Sequence, residues 1–419
     1  MAPVYNREQR AASLGVVSVG IALGLGGAWR LPALLDRYGA AGFLLAYAAL
    51  LLTLGLPMLM AEQMIGRRGR VTPADCYGRV ARAEARTCHW RWIALTGGLA
   101  SVLLVAVSSE HGAAAALHLL HQKPSHGLML SAQLVLFAVA GLVAAGTAEW
   151  RARAQTITLI AAAVLLGLVL VSVGLNPADG LAATSWRGVE VARLGWRGLA
   201  DATRLVLLTL GLSLGTVLGH GASIPSGSSI LRASGVHLVL TGGTMVLTLL
   251  VVEMTLLPYQ IPPLDGMPLV LGQVPAVLAG TQGQLAWYGF ILCAVLLAAL
   301  GALESVTDLL YGRYELSRSQ AAFLASGGSL LLGGIGVLAG YSSGVMALFR
   351  TLAGDVLMPG AVLGLALFAG WAISRRATRA ELGLRRPEVF LAWRVAVRYL
   401  APVALAAVIC QCVIRMFGG

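Results

Sequence analysis

The main chain, more than the side chains, offers chemistry in this 419-residue protein. Residues 21–32 read Ile-Ala-Leu-Gly-Leu-Gly-Gly-Ala-Trp-Arg-Leu-Pro, which sets three glycines, an arginine and a proline inside an otherwise apolar run. A helix that unwinds within a bilayer exposes N–H and C=O groups that only a protein-lined cavity, a solute or an ion can satisfy. Amides at the start of a half-helix, aided by its dipole, suit an anion. A second such place is Thr209–Gly221, Thr-Leu-Gly-Leu-Ser-Leu-Gly-Thr-Val-Leu-Gly-His-Gly, with four glycines in eleven residues. Glycine also serves close helix packing, but paired interruptions at matching places in two halves are the sign of a solute site in a secondary transporter.

Side-chain chemistry is confined to single ionisable groups in apolar runs: Glu62, Glu110, Glu253, Glu304, Asp308 and His220. Such groups are expensive in a membrane and are read as functional or as held by a partner. Glu304 and Asp308 stand a turn apart, where Arg313 or Arg318 could neutralise them. Glu253 has no basic residue within a turn of helix, which makes it the candidate proton carrier, the alternative being a protonated structural acid. His118 and His121 have a spacing that could bind metal or could simply be interfacial; no metal site and no cofactor is predicted beyond a coupling Na+ or H+. The chain carries no P-loop, no H-E-x-x-H and no G-x-S-x-G, so enzymatic and ATP-driven readings lack support. Cys76, Cys88, Cys293, Cys410 and Cys412 show no zinc or disulfide spacing and are read as small hydrophobes.

These elements must be positioned by a membrane scaffold. Hydrophobic residues make up 58% of the chain and charged residues 11%, against about 25% charged in soluble domains. Runs long enough to cross the bilayer recur near 13–34, 40–65, 92–120, 127–148, 154–174, 200–224, 235–258, 284–311, 319–340, 344–373 and 391–414, giving an all-α polytopic protein with about eleven spans. The net charge of +12 therefore reflects topology and a bilayer partner, not nucleic acid. Arg7, Arg10, the arginines from Arg67 to Arg91, Arg151, Arg153, Arg232, Arg313, Arg318 and those from Arg375 to Arg386 fall on one side. The other side holds chiefly Lys123, Arg187, Arg193 and Arg197. The positive-inside rule puts the N-terminus in the cytoplasm and the protein in the plasma membrane. Met1–Arg10 is polar and the first apolar run is interrupted and long, so the first span is expected to be retained.

A cut near residue 180 leaves five spans in each half. Two related halves with an odd number of crossings enter the membrane in opposite senses. This predicts a first five-helix repeat over 10–175, an inverted second repeat over 199–374 and an extra C-terminal helix over 389–416. The stretch 175–198 reads as an external loop with Trp186 and Trp196 at the interface. The stretch 259–283, with Pro262, Pro263, Pro268 and Pro275, reads as a partly helical lid over the external entrance.

Gly24-Leu25-Gly26, Trp29-Arg30-Leu31-Pro32, Tyr38 through Phe43, Gly55-Leu56-Pro57 and Glu62-Gln63-Met64-Ile65-Gly66-Arg67 resemble the first two helices of the neurotransmitter:sodium symporter family, the LeuT-type transporters. The resemblance continues more loosely through Thr209–Pro225, Glu304–Arg318 and Met358-Pro359. It implies a five-plus-five inverted repeat around a central site. It further implies that the amides of Gly24, Leu25 and Gly26 hold a substrate carboxylate, with Leu208, Thr209, Gly211, Leu214, Ala299 and Ala302 around the solute. Cation ligands would come from Gly20, Ala22, Leu23, Thr209 and Ala294, with Gly27, Leu297 and Ala298 at further ligand positions.

Several side chains depart from the family pattern. Gly27 replaces an asparagine ligand, and its partner in the seventh helix falls near Thr244 or Met245. Leu297 and Ala298 replace a threonine and a serine, and a leucine supplies none of the hard oxygens a sodium shell requires. The carboxylate-binding tyrosine falls at Ala106 or Val107, Leu214 replaces the phenylalanine over the substrate, and small residues at Gly211, Ala299 and Ala302 enlarge the pocket, which would admit a solute bulkier than a small aliphatic amino acid or one that is not an amino acid. In the outer gate Arg30 is kept but its acidic partner becomes Arg350, leaving Asp355 as the candidate substitute. The chain reads as a secondary active transporter of a small amino-acid-like or carboxylate-bearing solute, with sodium coupling weakened or replaced. The alternative is a transporter-derived sensor or regulatory subunit that binds ligand without flux.

Overall fold

The computed structural model describes residues 16, 19–25, 27–174, 193–278, 280–340 and 344–417, and among these residues there are helices and no strands. The polar segment bearing Arg7 and Arg10, the amide of Gly26 and most of the expected 175–198 loop, Trp186 and Arg187 included, lie outside the described residues. In chain order the elements are α1 (19–24), α2 (Gly27–Tyr38), α3 (Ala40–Gly69), α4 (Pro73–Ala83), α5 (Cys88–Leu119), α6 (His126–Ala145) and α7 (Ala148–Gly174). The second half comprises α8 (Gly195–Leu210), α9 (Thr216–Ser223), α10 (Ile230–Tyr259), α11 (Pro268–Val277), α12 (Gly280–Arg313), α13 (Arg318–Ala339) and α14 (Gly344–Ala372). After α15 (Arg375–Leu382) comes α16 (Pro387–Ile414). Nine of these helices are long and apolar enough to cross a membrane. The pairs α1/α2 and α8/α9 are each a span in two pieces, so the described chain matches the eleven crossings read from sequence.

Local sequence chemistry sets where the helices start and bend. Ser125, Ser229, Ser317 and Ser374 each cap a helix by accepting a backbone N–H, and Gln320 completes a capping box with Ser317. Four wide π turns, Leu51–Gly55, Pro268–Gln273, Leu352–Leu357 and Ala396–Leu400, each end two residues before a proline: Pro57, Pro275, Pro359 and Pro402. Proline withdraws an N–H from the ladder, and a widened turn upstream lets the remaining donors reach new carbonyls. The Pro57 carbonyl itself accepts from Trp393 Nε1 at 3.0 Å.

Burial separates scaffold from periphery. The most apolar stretch of α12 is 78% buried and that of α7 only 17%, so α12 runs through the middle and α7 faces lipid. Trp29 of α2 packs edge-on against Trp287 and Phe290 of α12, with centroids 5.8 and 6.1 Å apart. The 259–283 stretch is partly helical as expected, and Trp287 Nε1 holds it by donating to the Val270 carbonyl at 2.7 Å.

At the basic pole, Glu84 joins the α4 end to α15: it lies 2.9 Å from Arg68 and accepts the Ser374 N–H at 3.0 Å. Burial alone would raise its pKa, but the Ser374 amide and the Arg68 guanidinium outweigh burial and hold the carboxyl below the usual range. A pKa depressed by folding adds stability that is present above the unfolded value and is lost as pH falls through the folded one. Glu84→Gln is therefore expected to lower the melting temperature at neutral pH and to leave it unchanged in acid, where both proteins carry a neutral side chain. An equal loss at both pH values would assign the effect to packing.

Candidate functional site

Both expected breaks are present, and they meet. The first helix runs over 19–24, Leu25 is a turn whose N–H reaches the Ile21 carbonyl at 3.1 Å, and helix resumes at Gly27. The second break spans 211–215, where Gly211, Ser213 and Gly215 have φ of 61°, 60° and 91°. A methyl group placed on Gly27 would lie 3.4 Å from the Ala22 carbonyl oxygen, 3.7 Å from Leu208 Cβ and 3.8 Å from the Thr209 nitrogen. One on Gly211 would lie 3.0 Å from Ile21. The unwound segments of the two halves thus face each other across van der Waals distance.

Neighbouring helices satisfy the unwound backbone. Glu62 of α3 accepts the Ser213 N–H at 2.8 Å, Ser101 of α5 donates to the Leu214 carbonyl at 3.0 Å, and His237 Nε2 lies 3.2 Å from the Leu210 carbonyl. A left-handed serine is strained relative to glycine, and the buried Glu62 carboxylate offsets that strain. Glu62 thus satisfies a backbone donor between helices, one of the two readings of a buried acid in an apolar run.

The third wall is α12. A methyl on Gly24 would collide with the Ala294 carbonyl oxygen and the Ala298 methyl, and one on Gly20 with the Leu297 side chain. Ser305 of α12 approaches Gly215, and Ala302 lies on the same stripe as Ala298 and Ser305. Gly20, Ala22, Leu23, Gly24, Leu25, Gly27, Leu208, Thr209, Gly211, Leu214, Ala294, Leu297, Ala298, Ala299 and Ala302 are all buried.

The hydroxyl inventory is thin. Thr209 Oγ1 donates to the Leu205 carbonyl at 2.7 Å and lies 2.8 Å from the Tyr47 hydroxyl, so its proton and one lone pair are engaged. Thr241 and Thr244 donate to carbonyls one turn earlier, His237 at 2.9 Å and Leu240 at 2.7 Å, and Met245 is buried. Beside Gly20 and Ala294 the side chains are an isobutyl group and a methyl. Hard cations prefer a full shell of oxygens, and Leu297 and Ala298 add none from their side chains.

The gate differs from its expected form. Arg30 lies 3.7 Å from Asp265, in the segment between α10 and α11, whereas Asp355 lies 3.0 Å from Arg204 of α8. Arg350 is exposed on α14, near enough to Glu110 for their charges to interact. Asp265 is the one acid in the 259–283 stretch, and that was the available signal for it. Arg204 is missing from the sequence reading altogether. It is buried with Asp201 Oδ1 and Gln411 Oε1 each at 2.7 Å, and Tyr38 donates to Asp201 Oδ2 at 2.7 Å. The i,i+3 spacing of Asp201 and Arg204 inside an apolar run would have revealed it.

The remaining ionisable groups mostly have partners. Glu304 meets Arg151 at 2.8 Å rather than Arg313, and Asp308 meets Arg318 at 2.6 Å. Glu253 is half-buried on α10 and feels the charge of exposed Asp36. Among the described residues no three His, Cys, Asp or Glu gather as a metal site.

Residues 9–91 match the family described as Sodium:neurotransmitter symporter family. An uncharacterized sodium-dependent transporter of Bacillus subtilis, YhdH, is 24% identical across 96% of each chain. A second uncharacterized sodium-dependent transporter, from Haemophilus influenzae, is 20% identical over 93% of this chain and 94% of its own. The sodium-dependent neutral amino acid transporter B(0)AT2 of Rattus norvegicus is 40% identical over 55 residues, 13% of this chain and 8% of that one. The crystal structure of MhsT in complex with L-phenylalanine superposes with a TM-score of 0.80 at 21% identity, covering 96% of this chain and 98% of that chain. The family is one of membrane transporters, not of enzymes. With the paired breaks in place, the chain has the LeuT-type fold of MhsT, and its first two spans are similar to the neurotransmitter:sodium symporter family.

Proposed function

We propose that the protein moves a small amino-acid-like or carboxylate-bearing solute by alternating access, between repeats spanning 10–175 and 199–374, with its N-terminus in the cytoplasm. The carrying observation is the approach of Gly27 to Leu208 and Thr209, which sets the amide-bearing start of α2 against the second break. Amides at a break favour a carboxylate, here those of Gly24, Leu25 and Gly26, with the Leu25 N–H exchanging the Ile21 carbonyl for the solute. Gly211, Leu214, Ala299 and Ala302 offer small or aliphatic surface for the rest of the solute, and the neighbour MhsT holds L-phenylalanine. Uptake of labelled neutral amino acids into proteoliposomes, with and without a sodium gradient, tests this. Ligand-induced thermal stabilisation without flux would instead establish the sensor reading.

Sodium coupling is weakened in this reading, because Leu297 and Ala298 supply no hydroxyl beside the carbonyls of Gly20, Leu23 and Ala294. Converting both, Leu297→Thr with Ala298→Ser, is expected to increase sodium stimulation of uptake. An unchanged sodium response would show that those carbonyls do not face a cation.

Glu253 is the proposed proton carrier. It is half-buried on a membrane-spanning helix and has no cationic partner among the described ion pairs. Glu253→Gln is expected to flatten the pH-dependence of uptake, and an unaltered pH profile would remove the proposal.

A further inference from the structure

At the basic pole a cavity of about 470 Å³ is lined by Arg67, Arg68, Arg70, Arg79, Ser226 and Glu381. Its four guanidiniums are held differently. Arg67 is buried and committed: Nε lies 2.6 Å from Glu381 Oε1, one terminal nitrogen donates to the Ser228 carbonyl at 2.7 Å, and the other donates to the Glu381 carbonyl. Arg68 has Glu84 at 2.9 Å. Arg70 and Arg79 reach only carbonyl oxygens, of Arg67 at 3.2 Å and Gly69 at 3.0 Å. Neither makes an ion pair among the described residues, so one carboxylate, Glu381, lines the cavity against four cations, and Glu84 neutralises Arg68 from beyond the lining.

Positive-inside topology explains why arginines lie on this side, but it asks only for charge in loops. It does not ask for convergence. Here Arg70 closes α3 in a left-handed turn with φ of 49°, which folds the chain back so that Arg79 of α4 returns to Gly69. The cage draws on α3 and α4 from the first half, on Ser226 just after the second broken span, and on Glu381 of α15.

The geometry points to a binding site for a phosphate group, either a free anion or the headgroup of an acidic lipid. Guanidiniums held in fixed forks match phosphate oxygens in pairs. The excess charge of Arg70 and Arg79 is what a dianion would neutralise, and Ser226 adds a hydroxyl donor at the rim. This site is separate from the paired breaks, and a bound phosphate would tie the inner half of the second broken span to the first half of the molecule. It does not depend on the identity of the transported solute.

Thermal unfolding of the full-length protein tests the assignment. Inorganic phosphate or pyrophosphate is titrated in neutral detergent against sodium chloride at equal ionic strength. In parallel, nanodiscs of phosphatidylcholine are compared with nanodiscs of equal parts phosphatidylcholine and phosphatidate. Stabilisation by the soluble anions identifies a free phosphate as the source, and stabilisation by phosphatidate alone identifies lipid. In either arm Arg70→Ala with Arg79→Ala should weaken the response at least about tenfold, the loss expected for charge-assisted hydrogen bonds. Arg82→Ala with Arg86→Ala, exposed residues outside the cavity, should leave it intact. Arg70→Lys with Arg79→Lys keeps the charge and guards against a variant that fails to fold. A response equal in all variants, or none in either arm, overturns the site.

Discussion

Gly24→Val is expected to abolish uptake and to destabilise the protein by about 1–3 kcal/mol, the usual cost of forcing atoms into a packed interior. The first added carbon already meets the Ala294 carbonyl oxygen and the Ala298 methyl. One of these obstacles is a side chain and the other is backbone, which makes the prediction sharper than a generic glycine replacement. Adding Ala298→Gly removes the methyl but leaves the carbonyl, so the double variant should recover part of the stability and little of the transport. Uptake by proteoliposomes, read beside thermal unfolding, separates the two effects. Full transport by Gly24→Val would mean that α1 and α12 separate at this point and that the break holds no solute.

The scaffold was legible because the bilayer imposes length. The run expected near 40–65 appears as Ala40–Gly69, that near 284–311 as Gly280–Arg313, and that near 319–340 as Arg318–Ala339. The differences lie at the ends, where capping serines and snorkelling arginines extend a helix beyond its apolar centre. The breaks were legible for a related reason: glycine clusters stand out against residues that otherwise favour helix, and a second cluster at the matching position made chance packing a poor account.

Partners of charged groups were not legible, because a pairing across the bundle leaves no local trace in sequence. Arg30 meets Asp265, which lies 235 residues away along the chain, and Asp355, the nearest acid by the family pattern, is held by Arg204. Glu304 was expected to pair within its own helix end and instead reaches Arg151 of α7. Each error came from weighing acids by sequence distance, whereas the fold brings the ends of distant helices together.

Arg204 carries the second large effect. Its guanidinium is 2% exposed and meets Asp201 at 2.7 Å, Asp355 at 3.0 Å, Gln411 Oε1 at 2.7 Å and the Val408 carbonyl at 3.1 Å. Those partners come from α8, α14 and α16, so one side chain ties the first piece of the second broken span to α14 and to the last described helix. Removing one member of a buried ion cluster strands the others, typically at about 3–5 kcal/mol. Arg204→Met should therefore lower the melting temperature more than any exposed arginine replacement, with both carboxylates left unneutralised. Adding Asp201→Asn and Asp355→Asn removes the stranded charge and should restore much of the loss, since a neutral, well-packed site escapes the desolvation cost of ions. Gln411→Leu leaves the ions paired and takes away one acceptor, which predicts a smaller loss of about 1–3 kcal/mol. If Arg204→Met melted like the parent, α8 would owe its position to apolar packing alone, and α16 would have no electrostatic hold on the rest of the bundle.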